Sequence, residues 1–348
     1  MRKLQYSDIL VFGAFGKTVN SISGQTVKTR HIHNLLMEKL NKPIPFCDTI
    51  ELKTNWIKTF KFLYLLIKAR ILVYLPAINS LRYLFPILYM LSKILGYEIH
   101  YFVIGGWLPN MVKQDKLLAE RLTNIAMIYV ETFAMFNLLT QDYKFRNVVW
   151  FPNFRAEYQS DKINRPSEKL RIVFISRITM EKGIDTIFSF LELIEGSQLL
   201  TKLTIDFYGP IEPSIKRWFF AQVAKNQIAN YLGQVPPDQV QSIISNYDLM
   251  IFPTRYSGEG CPGAIIDAYM AKVPVLASHW KYNSEFVDDG VTGYLFNPDD
   301  INCIREIITN LVDNRTLLLE LGRNAKIFAT RFTKANAWEI ICKAMNLK

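Results

Sequence analysis

Two unbroken apolar runs, Leu249 to Phe252 and Val273 to Ala277, constrain this chain more than any other feature. Neither alternates polar with apolar residues, so each suits a strand covered on both faces inside a parallel sheet. Parallel neighbours cannot be joined by a tight turn and need a longer, usually helical, crossover. The residues between them supply it: a turn with Gly258, Gly260 and Gly263, then a helical stretch running to Ala271. Pro262 suits the first helical turn, where its missing N–H would be an orphan anyway. Free N–H groups of that turn face whatever occupies the crevice, and the glycines let a ligand approach the backbone. Glu259 lies in the turn and Asp267 on the helix. The string therefore reads as an anion site flanked by two carboxylates, acceptor-only groups suited to vicinal hydroxyls.

Upstream, Lys169 to Gly183 reads as a buried strand ending at Ser176, a short loop, and a helix starting near Gly183 with Ile184, Ile187, Phe188 and Leu191 at helical spacing. Arg177 and Lys182 thus emerge on one loop at the carboxyl end of a strand, where open α/β sheets bind ligands. A planar guanidinium and a compact ammonium together can neutralise a diphosphate.

With these spacings, residues 170 to 300 resemble the donor-binding region of the family 4 glycosyltransferases, in which two carboxylates are separated by seven residues; Asp267 stands where the family usually has Glu. The resemblance implies an α/β fold of GT-B type, with two Rossmann-like domains facing each other across a cleft. It implies an acceptor domain over residues 1 to 154, a donor domain over 155 to 329, and a last helix over 330 to 348, carrying Phe332 and Trp338, packing back on the first domain. Arg155 to Lys169, containing Pro166, reads as the linker. In the donor site, the resemblance sets Glu259 against the sugar hydroxyls, Asp267 against the ribose hydroxyls, and Arg177 and Lys182 against the diphosphate. The turn Gly260, Cys261, Pro262, Gly263, Ala264 frames the leaving group. Gly24 resembles a glycine of the family's first loop, and reads equally well as a helix-entry glycine. Glu285, Gly290 and Gly293 fit the family's later pattern and are given structural roles.

One departure concerns the acceptor side. Many members carry a His after the fourth strand of the first domain, where this chain has Ile104-Gly105-Gly106-Trp107-Leu108-Pro109. His100 falls at the expected start of that strand and reads as structural. Gly105 and Gly106 would admit a sugar close to the backbone and Trp107 would stack on it; the alternative is a tight turn with a core Trp.

The implied activity is a retaining, metal-independent transfer from a nucleoside diphosphate sugar, UDP-linked, to a saccharide or lipid-linked saccharide in bacterial surface polysaccharide synthesis. Two alternatives stay open, a nucleotide-sugar epimerase of the same fold and a catalytically silent partner subunit. No cofactor is expected beyond the nucleotide sugar. The four histidines, His31, His33, His100 and His279, form no ligand set with carboxylates, and there is no D-x-D element. Cys47, Cys261, Cys303 and Cys342 make no C-x-x-C pair, so neither a zinc site nor a disulfide framework is expected. Cys261 reads as a packing residue. The absence of G-x-G-x-x-G disfavours a dinucleotide oxidoreductase.

Further strands are expected at Asp8 to Phe12, Ile71 to Leu75, Ile99 to Ile104, Ile125 to Val130 and Asn147 to Phe151, with a strand end over Asp206 to Pro210, a strand with its exit turn over Tyr231 to Pro236, and a helix from Ser23 towards Leu40. Met1 to Ser7 shows no signal-peptide core, so a cytoplasmic setting is expected. The net charge of +10 lies wholly in residues 1 to 160, which hold 20 Lys and Arg against 10 Asp and Glu. Within them Trp56, Ile57, Phe60, Leu63, Tyr64 and Ile67 recur at helical spacing among Lys53, Lys58, Lys61, Lys68 and Arg70, which fits an interfacial helix on an anionic membrane surface. Nucleic acid is a poorer partner, because the basic residues accompany aliphatic surface. Leu81 to Leu95 is apolar nearly all round, too short to span a bilayer, and reads as an ordinary domain helix broken at Pro86.

Overall fold

The computed structural model describes residues 8–16, 23–52, 56–158 and 168–347. Met1 to Ser7, Lys53 and Pro166 lie outside the described residues. The chain divides into two compact units, Met1–Phe154 with Lys334–Lys348, and Arg155–Thr333.

In the first unit the described strands form one parallel sheet: β1 (Ile9–Gly13), β2 (Phe46–Asp48), β3 (Ile71–Leu75), β4 (Glu98–Phe102), β5 (Met127–Val130) and β6 (Val148–Trp150), in the order β2-β1-β3-β4-β5-β6. This is the flavodoxin-like order with one strand added, and it reverses direction between β1 and β3. The core gathers Val11, Phe15, Leu35, Val73, Phe102 and Tyr129, and the carboxyl-terminal helix Lys334–Ala344 adds Ala337 and Ile341 to it. Phe332 stands before that helix, in the short turn Thr330–Phe332 of the second unit.

The second unit carries β7 (Leu170–Ile175), β8 (Leu203–Tyr208), β9 (Ala229–Tyr231), β10 (Leu249–Phe252), β11 (Val275–Ser278) and β12 (Gly293–Phe296), again parallel, in the order β9-β8-β7-β10-β11-β12. Numbered within the unit this is 3-2-1-4-5-6, the Rossmann order, with its switch point between β7 and β10. The buried runs of β7, β10 and β11 explain why these strands lie inside the sheet: apart from Arg171 and Ser278 their side chains are apolar on both faces.

Some elements depart from expectation. β2 and β12 carry no long apolar run; each is a short strand at a sheet edge. Of the strand and exit turn expected from Tyr231 to Pro236, the strand part lies earlier: β9 ends at Tyr231, and the turn follows with Gly233 in a left-handed conformation at φ +89°. Pro86 does not break the Leu81–Leu95 segment. A π-helical turn, Ser80–Leu84, gives way to the α-helix Phe85–Leu95, and Pro86 occupies its first turn, where no N–H is missed. Both this helix and Ile57–Lys68 bury one stripe (Phe85 and Leu88; Phe62 and Leu66) and leave the opposite stripe exposed.

Candidate functional site

The switch point of the second sheet brings the loops after β7 and β10 together. Gly183 makes the approach possible: it sits at φ +77°, and a Cβ there would lie 1.9 Å from the Pro253 carbonyl oxygen. The same junction is held by the Arg255 N–H donating to the Glu181 carbonyl at 2.7 Å. From the other side, the Ser278 hydroxyl donates to the Thr254 carbonyl at 2.6 Å and the Trp280 indole to the Tyr256 carbonyl at 2.9 Å. The segment Pro253 to Tyr256, which leads into the glycine-rich turn, is thereby held on both flanks.

On this frame Lys182 ends a short 3-10 turn, Met180–Lys182, that Thr179 caps by accepting from the Lys182 N–H. Its Nζ donates to Glu259 Oε2 at 2.5 Å, and the Thr254 hydroxyl donates to the same oxygen at 2.8 Å. Lys182 and Glu259 are both buried, with side chains 9% and 11% exposed. Lys182 Nζ also stands 5.0 Å from the centre of the Tyr256 ring, and the exposed Arg177 guanidinium 5.6 Å from it. The structure thus brings Arg177 and Lys182 to one aromatic ring at the carboxyl ends of β7 and β10, with Glu259 held against Lys182. A buried cation with one carboxylate partner and a second cation in solvent can meet a diphosphate, while the carboxylate can order hydroxyls beside it.

The helix Gly263–Met270 starts at Gly263, with Pro262 as its cap at φ −71°, ψ 106°. Pro262 therefore precedes the first turn instead of lying within it. Gly260, Cys261 and Pro262 are buried, while Gly263 and Ala264 are partly open. Asp267, one turn into the helix, is not a freestanding acceptor. Arg155 grips it with two hydrogen bonds, Nε to Oδ1 at 2.7 Å and Nη2 to Oδ2 at 3.0 Å, and Gln241 adds a third at 3.1 Å. The guanidinium also lies over the start of the helix, since a Cβ at Gly263 would come within 2.2 Å of Arg155 Nη2. Burial opposes the Arg155 charge, and the attraction and hydrogen bonds of Asp267 more than offset it, holding its pKa above the ordinary arginine value. The first residue of the expected linker is thus built into the second unit.

In the first unit, Gly24 opens the helix Gly24–Leu40 behind the cap Ser23, and a Cβ there would meet none of the described residues within 4 Å. Among the described residues no neighbour demands glycine at that position. Gly105, at φ +77°, donates its N–H to Glu131 Oε2 at 3.0 Å. Glu131 follows the end of β5, and its other oxygen accepts from Lys28 Nζ at 2.5 Å; Lys28 also donates to the Val103 carbonyl at 2.8 Å. Both side chains of this pair are nearly fully buried. The pair fixes the loop that carries Gly105, Gly106 and Trp107. Trp107 is half-buried at the head of the helix Leu108–Gln114 and borders a small pocket with Ile78, Val103, Ile104 and Met111. His100 lies in the middle of β4, not at its start, and its Nδ1 is 2.9 Å from the Tyr129 hydroxyl.

Arg155, Gln241, Thr254, Lys28 and Glu131 escape sequence reasoning. Glu131 alone carries a signal, a carboxylate directly after a buried strand. The others are ordinary polar residues until tertiary packing gives them partners. Among the described residues no cluster of three or more His, Cys, Asp or Glu side chains is placed to hold a metal ion.

Residues 156–328 match the family model of the glycosyl transferases, group 1. Among curated proteins, the chain is 26% identical over 215 residues to the poly(ribitol-phosphate) alpha-N-acetylglucosaminyltransferase of Staphylococcus aureus (strain COL), a span of 62% of this chain and 42% of that protein. It is 25% identical over 199 residues to the S. aureus capsular polysaccharide biosynthesis glycosyltransferase CapM, covering 56% of this chain and 51% of the relative. The chain spans about half the length of these relatives. Among solved structures, Anabaena HepE in complex with UDP superposes with a TM-score of 0.75 at 14% identity, covering 97% of this chain and 99% of that one. TarM gives 0.64 at 21% identity, covering 80% of this chain and 55% of that one. At these identities the structural likeness shows the fold, an α/β architecture of GT-B type with two domains.

Proposed function

Because the chain belongs to the group 1 glycosyl transferases through residues 156–328, we propose that it transfers a sugar from a nucleotide sugar to a hydroxyl acceptor in bacterial surface polysaccharide synthesis. The observation that carries this reading is the buried Lys182–Glu259 pair beside the glycine-rich turn and the start of the Gly263–Met270 helix. In the proposed reaction the donor diphosphate lies against Arg177, Lys182 and the N–H groups of the turn Gly260 to Ala264, Pro262 having none. These meet the charge that develops on its oxygens as the glycosidic bond breaks. Glu259, already ordered by Thr254, holds the donor sugar hydroxyls. Asp267, held by Arg155, faces the ribose with the lone pairs its partners leave free.

Four finer features belong to the same proposal. The donor is UDP-linked, which the UDP in the HepE complex supports by analogy. Transfer retains the anomeric configuration, with the acceptor attacking the face that the diphosphate leaves. It needs no metal, because Arg177 and Lys182 supply the cationic charge. The acceptor is a saccharide or lipid-linked saccharide positioned by Gly105, Gly106 and Trp107, at the inner face of the plasma membrane. The test is a thermal-shift panel of nucleotides and nucleotide sugars on the purified chain, followed by product analysis. A ligand at a hundred times its dissociation constant adds about 2.7 kcal/mol of stability. Stabilisation by UDP and a UDP-sugar, with an axial product linkage from an axial donor by NMR, is the expected result. Turnover without acceptor to an epimerised donor, or no turnover of any donor, would replace this reading with the epimerase or the silent subunit.

A further inference from the structure

Of the twenty large hydrophobic side chains exposed among the described residues, eleven fall between Trp56 and Leu95. They are not scattered. On the helix Ile57–Lys68, Ile57, Phe60, Tyr64 and Ile67 follow the spacing i, i+3, i+7, i+10 and are 57% to 64% exposed. They form a stripe opposite the buried Phe62 and Leu66. On the next segment Tyr83, Ile87, Met90 and Ile94, 51% to 71% exposed, form a second stripe opposite Phe85 and Leu88.

The aromatic core shows that the two stripes lie side by side. Phe62 stacks on Phe12 of β1 at 4.3 Å, Phe12 on Tyr74 of β3 at 5.8 Å, and Tyr74 on Phe85 at 6.3 Å. Phe12 and Tyr74 are partners in the β1–β3 register, so both helices cover the same face of the sheet over neighbouring strands. Their outward stripes form one apolar surface two helices wide, larger than the scattered exposure usual on a soluble monomer.

Charge decides what covers it. From Trp56 to Gly96 the sequence holds six basic residues, Lys58, Lys61, Lys68, Arg70, Arg82 and Lys93, and no Asp or Glu. Lys58 is half-buried and paired with Glu51; Lys61, Lys68, Arg70, Arg82 and Lys93 are exposed. Lys68 and Lys93 stand 4.3 Å and 4.9 Å from the Tyr64 and Tyr89 ring centres. Apolar stems and rings below cationic heads, with Trp56 71% exposed at the edge, match the border between acyl chains and phosphate headgroups. No helix among the described residues is long and apolar enough to cross a membrane, so such a surface would lie on the bilayer.

We propose that the outward faces of Ile57–Lys68 and of Tyr83 to Leu95 together form a docking surface for an anionic lipid bilayer. This deepens the reading of an acceptor presented at a membrane, but binding to vesicles requires neither donor nor acceptor and is measured separately from transfer. The experiment is co-sedimentation of the full chain with phosphatidylglycerol vesicles and with phosphatidylcholine vesicles. Binding to the anionic vesicles at low salt, reversed at high salt, is expected. Each exposed basic residue neutralised should weaken it about fivefold. Lys61→Gln/Lys68→Gln should therefore lose roughly 25-fold, and Phe60→Ser/Ile94→Ser should abolish binding while leaving the melting temperature unchanged. UDP binding should be the same in all variants. No binding to anionic vesicles at low salt would overturn the proposal. So would a dimer in solution that Phe60→Ser/Ile94→Ser dissociates, which would assign the surface to a second copy of the chain.

Discussion

Replacing Lys182 by Met tests the centre of the proposed donor site, because the structure fixes what the change leaves behind. Glu259, whose side chain is 11% exposed, would keep the Thr254 hydroxyl and lose its cation. Stranding one member of a buried pair costs about 3–5 kcal/mol, whereas removing both charges is often close to neutral. At about 2–4 °C per kcal/mol for a unit of this size, Lys182→Met should lower the melting temperature by on the order of 10 °C. Lys182→Met/Glu259→Gln should recover most of that loss. Donor binding should not follow the same pattern. A hydrogen bond from the ammonium to phosphate contributes about 1.5–3 kcal/mol, so UDP affinity should fall roughly 10- to 150-fold in both the single and the double variant. Glu259→Gln alone should keep UDP affinity and lose transfer, since it orients the sugar. Scanning calorimetry with and without UDP, and titration calorimetry, measure both quantities. A Lys182→Met protein that melts with the parent would refute the buried-pair argument. Equal loss of UDP affinity in all three variants would refute the division of labour between cation and carboxylate.

Arg155→Lys should destabilise the second unit by about 3 kcal/mol in urea unfolding, because one ammonium cannot reproduce the two-point grip on Asp267; stability equal to the parent would show that the pair is solvated. Glu131→Gln should strand Lys28, cost about 3–5 kcal/mol, and raise the KM for acceptor more than that for donor, since Glu131 holds the Gly105 N–H; an unchanged acceptor KM would sever that loop from acceptor binding. EDTA should leave transfer within about twofold of the untreated rate, since neutralising the leaving diphosphate is assigned to fixed side chains. Full loss restored by magnesium or manganese would overturn that assignment.

The central strands and the motif loops were legible in the sequence because local chemistry dictates them. A run such as Ile71 to Leu75 has no polar position to offer solvent, so it must be an interior strand, and it is. Arg177, Lys182 and Glu259 could be placed on loops at strand ends from apolar runs and glycines alone. The short edge strands β2 and β12 left no such mark, because half their surface is not buried in the sheet. Partnerships were equally silent. Arg155 and Asp267 are 112 residues apart and Lys28 and Glu131 are 103 apart, and nothing local in either carboxylate's setting names its partner. Burial makes each pair what it is, since an ion stripped of water must find its counter-ion. The apolar pattern of Tyr83 to Leu95 shows the same limit from the other side. Periodicity revealed a helix hydrophobic nearly all round, but which stripe meets the sheet and which meets the surroundings depends on Phe12 and Tyr74 beneath it. Sequence determined that these segments would be strands, loops and helices; tertiary packing decided which charges are paired and which apolar face is left uncovered.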